Sequence, residues 1–257
     1  MIYKTSETHI DSSNSGEGYI QASYHGHAGR KCKLRIECNG HQQHFTVPSD
    51  GTPKYYPLCF GDGSYALTVF RQLEGTDYSP IARTRIDVKL RNEFVPYLYP
   101  NTYCEYDADS ECVRIAKDIC VPAKTDIERY DKIYWWIVDS VEYDHELAKR
   151  AQTDTFWLPD PNDVIATGKS ICWGYASLLA AMCRSQGIPC RICVGRVTGA
   201  LHAWNEIWLE NGGAVHGIVY KPGEYTRTDI TFLDASSGSL AGFVMDNVNF
   251  PEVEYYG

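Results

Sequence analysis

Of the ten cysteines in the chain, Cys172 stands in the surroundings best suited to a nucleophile. It lies in Thr167-Gly168-Lys169-Ser170-Ile171-Cys172-Trp173-Gly174-Tyr175-Ala176, and Ser177-Leu178-Leu179-Ala180-Ala181-Met182-Cys183-Arg184-Ser185-Gln186-Gly187 follows. Ala176, Leu179, Ala180 and Cys183 fall at i, i+3, i+4 and i+7, the buried stripe of a helix, and Gly187 is a natural stop. Thr167 to Ser170 reads as a turn, which puts Cys172 in the first helical turn. Unpaired amides and the positive end of the helix dipole there favour a thiolate over a thiol. Cys183, further along the same helix, receives no such help. A cysteine taken singly is more often a buried structural thiol, so the assignment needs a base nearby.

After Gly187, Ile188-Pro189-Cys190-Arg191-Ile192-Cys193-Val194-Gly195-Arg196-Val197 has the composition of a strand. A turn at Gly199 follows, then a second strand, Leu201-His202-Ala203-Trp204-Asn205-Glu206-Ile207-Trp208-Leu209. His202 therefore opens a strand that should pair with its predecessor. Taken alone, such a histidine reads better as a hydrogen-bonded structural residue than as a base.

Together these segments resemble the transglutaminase-like superfamily, which includes transglutaminases, peptide N-glycanases and bacterial cysteine-protease-like proteins. The resemblance is carried by Gly-x-x-Cys-x-Gly-Tyr-Ala leading into a helix, by Arg-Ser-Gln-Gly-Ile-Pro-Cys-Arg and by His-Ala-Trp-Asn-Glu. It covers about Asn101 to Gly257 and is strongest from Thr167 to Glu206. It implies a papain-like α+β core, with the nucleophile Cys172 on a helix N-terminus and His202 and an acid on neighbouring strands of an antiparallel sheet. The family places its aspartate on the strand after the histidine, four residues beyond a Trp. Tyr225-Thr226-Arg227-Thr228-Asp229-Ile230-Thr231-Phe232 matches with Tyr in place of Trp and with Ile in place of the Pro that follows the family's aspartate, which favours Asp229 over the competing Asp234.

In that arrangement His202 takes the thiol proton, the sulfur attacks an amide carbonyl, and Asp229 fixes the imidazole. A thioester then passes to water or an amine. The oxyanion needs donors; the Cys172 backbone amide is one candidate and the Trp157 indole is the other.

The elements around this constellation divide the chain. From Gly18 to Leu90 short runs alternate apolar and polar residues, among them Tyr19-Ile20-Gln21-Ala22-Ser23-Tyr24 and Cys32-Lys33-Leu34-Arg35-Ile36. Asn39-Gly40 and Gly61-Asp62-Gly63-Ser64 supply turns between them, and about six strands at this spacing predict a small Ig-like β-sandwich. The period is lost in a Pro- and Tyr-rich stretch after Arg91, so residues 1–91 read as an accessory domain and 92–257 as the catalytic one. A helix is expected from Glu111 to Cys120. A second opens at Thr125-Asp126-Ile127-Glu128, a capping box, and runs toward Tyr143 with Trp135 and Trp136 packing at the core and rim.

The 257 residues carry a formal net charge of -9, which repels a phosphate backbone, so nucleic acid is not expected as a partner. Mean hydropathy is -0.35 and no long apolar run appears, so no membrane partner is expected either. The start shows no apolar leader, which predicts a cytoplasmic protein; a secreted one trimmed of its leader would read the same. The ten thiols show no compact disulfide spacing and read as reduced and buried. Cys190 and Cys193 lack a second pair and point to opposite faces of a strand, His41 and His44 fail on the same parity, and His25 and His27 share a face if extended but have no evident third ligand. No cofactor and no metal are expected.

The expected partner is a protein or peptide substrate, with a carbohydrate or protein ligand for the N-terminal domain. The leading function is cysteine-dependent acyl transfer on a peptide, isopeptide or glutamine amide, with hydrolysis ahead of cross-linking because no calcium cluster is evident. Two alternatives stand behind it. One is a non-catalytic recognition protein on the same scaffold; the other, ranked lower, is a peptide N-glycanase-like amidase.

Overall fold

The computed structural model describes residues 1–27, 29–151, 158–197, 200–231 and 253–255. They form two units, Met1–Thr102 and Tyr103–Tyr256. In the first, alternation of side chains across extended backbone builds eight strands: β1 (Ile2–Lys4), β2 (Thr8–Asp11), β3 (Tyr19–Tyr24), β4 (Cys32–Cys38), β5 (His41–Val47), β6 (Lys54–Pro57), β7 (Gly63–Glu74) and β8 (Asp77–Val88). They pair as two antiparallel sheets, β1-β2-β3-β6 and β5-β4-β7-β8. In β4 the alternation is complete, with Cys32, Leu34, Ile36 and Cys38 buried and Lys33, Arg35 and Glu37 facing outward.

The inner faces meet where the Phe45 ring lies 5.6 Å from that of Tyr56, whose hydroxyl donates to the Thr46 carbonyl across the two sheets. Eight strands stand where the sequence pattern predicts about six. Of the eight, β1, β2 and β6 are three or four residues long, too short to establish a period of two by themselves. The Pro- and Tyr-rich residues after Arg91 pack in this unit. The Arg91 amide bonds the Gly16 carbonyl, and the Tyr99 hydroxyl donates to Glu17.

The second unit surrounds one helix. Its helices are α1 (Glu111–Cys120), α2 (Asp126–Ser140), α3 (His145–Ala151), α4 (Pro161–Thr167) and α5 (Cys172–Ser185). Strands β9 (Glu142–Tyr143) and β10 (Lys169–Ser170) form a short parallel pair. The main sheet runs β15-β12-β11-β16, antiparallel, from β11 (Cys190–Val197), β12 (Ala200–Trp208), β15 (Tyr225–Thr228) and β16 (Val253–Tyr255), while β13 (Gly213–Val215) and β14 (Ile218–Tyr220) make a hairpin.

The capping box at α2 is present in both directions, with Glu128 N–H donating to Thr125 Oγ1 and Glu128 Oε2 accepting from Thr125 N–H. That helix stops at Ser140, three residues before the expected end. Val141 turns extended because the chain must run beside β10, where Glu142 N–H bonds the Gly168 carbonyl. Helix α4 was legible in sequence and unread: Asp160 caps Asn162 N–H, Pro161 occupies the first turn and Gly168 closes it at φ 63°. The stretch expected as a turn from Thr167 to Ser170 is therefore the end of α4 followed by β10.

Helix α5 departs from the expected single stripe, since every residue from Gly174 to Arg184 is buried. It packs on β11 and β12 and also against α1, α2 and α4, so apolar residues are required all round it. Each fully buried Leu there contributes roughly 1.5–3 kcal/mol of transfer free energy. No helix among the described residues is long and apolar enough to cross a membrane.

Candidate active site

Cys172 is the first residue of α5. Ile171 before it is still extended, at φ -111° and ψ 177°, and its carbonyl accepts from Tyr175 N–H. The first turn is packed tightly on the strand that feeds it. A Cβ at Gly174 would lie 1.8 Å from Ser170 Oγ, and only glycine lets the two approach. The Tyr175 hydroxyl donates 2.9 Å to the buried Val141 carbonyl and ties the same turn to the segment after α2.

His202 comes from β12, which is clamped to the helix from the opposite face. Asn205 Nδ2 donates to the Ala176 carbonyl on α5 at 3.0 Å and to the Arg191 carbonyl on β11 at 3.1 Å. This buried amide fixes the distance between the helix that carries the thiol and the strand that carries the imidazole. It was missed in sequence, although a polar residue at an inward position of an otherwise apolar strand is a signal that could have found it.

Asp229 follows the last residue of β15, where Thr228 pairs with Asn205. Thr228 is held from below, because Tyr130 of α2 donates to its hydroxyl at 2.9 Å and stands 2.7 Å from the Tyr220 hydroxyl. Both Asp229 oxygens are engaged: Oδ1 accepts from Thr231 N–H at 3.1 Å, and Oδ2 lies 2.5 Å from His202 Nε2. The Cys172 thiol is hydrogen-bonded to the same imidazole. The three residues selected from the sequence are thus brought together, with His202 between the sulfur and the carboxylate. The competing Asp234 and the indole of Trp157 lie outside the described residues.

Burial opposes charge on the His202 ring, but the bonds from Asp229 and Cys172 outweigh it and carry its pKa from 6.5 to about 10. The ring is therefore an imidazolium at neutral pH. Cys172 and Asp229 open on a narrow crevice of about 150 Å³, mouth included, which Tyr175, Trp204 and Thr231 also line.

The other thiols differ. All ten are free, and eight are buried, Cys59 and Cys172 being the exceptions. Burial pushes Cys104 and Cys112 up to about 12, and Cys183 and Cys193 well above the ordinary thiol value. Cys190 pairs with Ile207 and Cys193 with Trp204, positions of opposite parity on β11. Among the described residues, no group of three or more His, Cys, Asp or Glu is placed to hold a metal ion.

A helix-borne thiol beside a strand-borne imidazole and a carboxylate just past the next strand makes a papain-like arrangement. Residues 113–217 match the model of the transglutaminase-like superfamily. It is 33% identical to the kyphoscoliosis peptidase of Homo sapiens over 115 residues, which are 40% of this chain and 17% of that protein. It is likewise 33% identical to the Mus musculus kyphoscoliosis peptidase over 108 residues, 37% of this chain and 16% of that one. The chain thus spans about a sixth of the length of these relatives. Among solved structures, a proposed cysteine protease of Cytophaga hutchinsonii aligns over 99% of this chain and 81% of its own, at 16% identity and a TM-score of 0.40.

Proposed function

We propose that the chain is a cysteine-dependent acyl-transfer enzyme acting on a peptide, isopeptide or glutamine amide. The observation that carries this reading is the His202 imidazole, held by Asp229 on one side and hydrogen-bonded to the Cys172 thiol on the other. His202 holds the proton of the pair as an imidazolium, and the sulfur adds to the amide carbonyl. The tetrahedral intermediate then collapses to a thioester as His202 protonates the leaving amine. Water, activated by the now neutral His202, adds to the thioester and releases the acid, which leaves the sulfur free and the proton again on His202.

Hydrolysis is favoured over transfer to an amine, because the curated relatives it matches are named peptidases. Incubation of the purified protein with casein and monodansylcadaverine separates the two outcomes. Hydrolysis gives new amino termini, whereas cross-linking gives fluorescent casein and ammonia. Both products should disappear in Cys172→Ala. An activity that persists undiminished in that variant would sink the assignment.

A further inference from the structure

The mechanism leaves one requirement unmet within the described residues. The oxyanion formed at the carbonyl needs more than the Cys172 amide, and a single backbone donor is a weak cradle. The pair β9 and β10 supplies a second group. The two strands are parallel, and Tyr143 is in register with Ser170. Paired residues of neighbouring strands project to the same face, and the extended Ile171 carries the period of two from Ser170 to Cys172. The Tyr143 side chain and the Cys172 sulfur therefore leave the backbone on one side.

The backbone around Tyr143 is held more firmly than a two-residue strand requires. Glu142 N–H bonds the Gly168 carbonyl at 2.9 Å, Asp144 N–H bonds the Ser170 carbonyl at 2.8 Å, and the Tyr175 hydroxyl of α5 holds the Val141 carbonyl at 2.9 Å. On the far side the Asp144 carboxylate caps α3 through the Glu146 and Leu147 amides. The Tyr143 ring rests edge-on against His145, 5.0 Å between centroids, and is half-buried. Its hydroxyl makes no hydrogen bond to any described residue. Burial and then the electrostatic influence of the Cys172 sulfur raise its pKa, so it keeps its proton through the neutral range. A protonated, uncommitted hydroxyl that leaves the backbone on the nucleophile's side is what an oxyanion donor must be.

We propose that Tyr143 is a catalytic residue, its hydroxyl donating a hydrogen bond to the oxyanion alongside the Cys172 amide. The inference rests on Cys172 as nucleophile. As the C–S bond forms, the carbonyl π pair moves to oxygen and the thiol proton resides on His202. The Tyr143 O–H and Cys172 N–H bond the oxygen until the pair returns and expels the amine, which takes the His202 proton.

The test uses two reagents for the same sulfur. p-Nitrophenyl acetate acylates through an oxyanion, whereas iodoacetamide alkylates by displacement and forms none. Tyr143→Phe keeps the ring and removes only the hydroxyl. It should slow the p-nitrophenol burst on the order of 10²-fold, while the iodoacetamide rate stays within about twofold. An unchanged burst, or equal slowing of both reactions, overturns the donor role; equal slowing would mean that the hydroxyl acts on the thiol. Cys172→Ala must lose the burst, and peptide mapping of the parent must place the fast iodoacetamide label on Cys172 and not on Cys59, the other thiol that is not buried. A burst that survives in Cys172→Ala, or a fast label on Cys59, would overturn the nucleophile and this inference with it.

Discussion

Helix α5 carries a cysteine near each end, and the two ends have opposite surroundings. At its start, Cys172 is half-buried, and its sulfur is hydrogen-bonded to an imidazole that a carboxylate holds from the other side. Eleven residues on, Cys183 is fully buried. Burial first and then its bond to the Cys190 thiol push its pKa well above the ordinary value. The neighbouring Arg184 is 3% exposed, and its Nε and Nη2 are both spent on the Cys190 carbonyl. One helix thus presents the same side chain as a candidate nucleophile and as packing. The lesson is that a thiol's chemistry is set by what the tertiary structure brings to it, since residue type and helix are shared.

The largest expected effect comes from alanine at the start of the helix. Cys172→Ala should abolish the acylation burst and leave the melting temperature nearly unchanged. Cys183→Ala should do the reverse, and loss of the burst there would break the comparison.

Next in size is Asp229→Asn, which preserves shape and removes the charge that holds His202. The acylation rate should fall on the order of 10²–10⁴-fold by stopped-flow measurement. The same variant should change the pH dependence of stability. His202 is raised from 6.5 to about 10, so its partners stabilise the fold fully below pH 6.5 and that contribution is lost as pH rises through 10. Urea midpoints should decline across this window in the parent and decline less in Asp229→Asn. Parallel curves would show that the carboxylate is not what holds the proton.

Gly174→Ala sharpens the contrast at the start of the helix. Its Cβ would meet Ser170 Oγ at 1.8 Å, so one of the two must move. Stability should fall by about 1–3 kcal/mol in urea unfolding, with a disproportionate loss of acylation rate because Cys172 sits in the displaced turn. Cys183→Ala should give the smallest effect, about 1–2 kcal/mol from lost packing, with the burst intact.

Much of this was readable beforehand, for identifiable reasons. Alternation marked β3, β4 and the longer strands because each buries one face. The cap at Thr125 and Glu128 marked α2 because that reciprocal bond is local. The short β1, β2 and β6 had too few residues to declare a period. Strands β9 and β10 exist through each other and the turns that hold them, a pairing across 27 positions that no local pattern records. For the same reason Tyr143 drew no notice, being an ordinary tyrosine at the end of an expected helix.

By itself the sequence determined the local dispositions: a cysteine opening a helix, a histidine opening a strand and an aspartate closing another. Helix termini and strand periods are written in neighbouring residues, and such patterns survive without knowledge of the fold. Only the tertiary structure decided which groups meet. Asn205 bridging helix and sheet, Thr228 under Tyr130, and the meeting of Cys172, His202 and Asp229 all depend on contacts between residues far apart in the chain. The choice of one thiol from ten, and the charge on its histidine, follow from burial and partners that exist only once those contacts have formed.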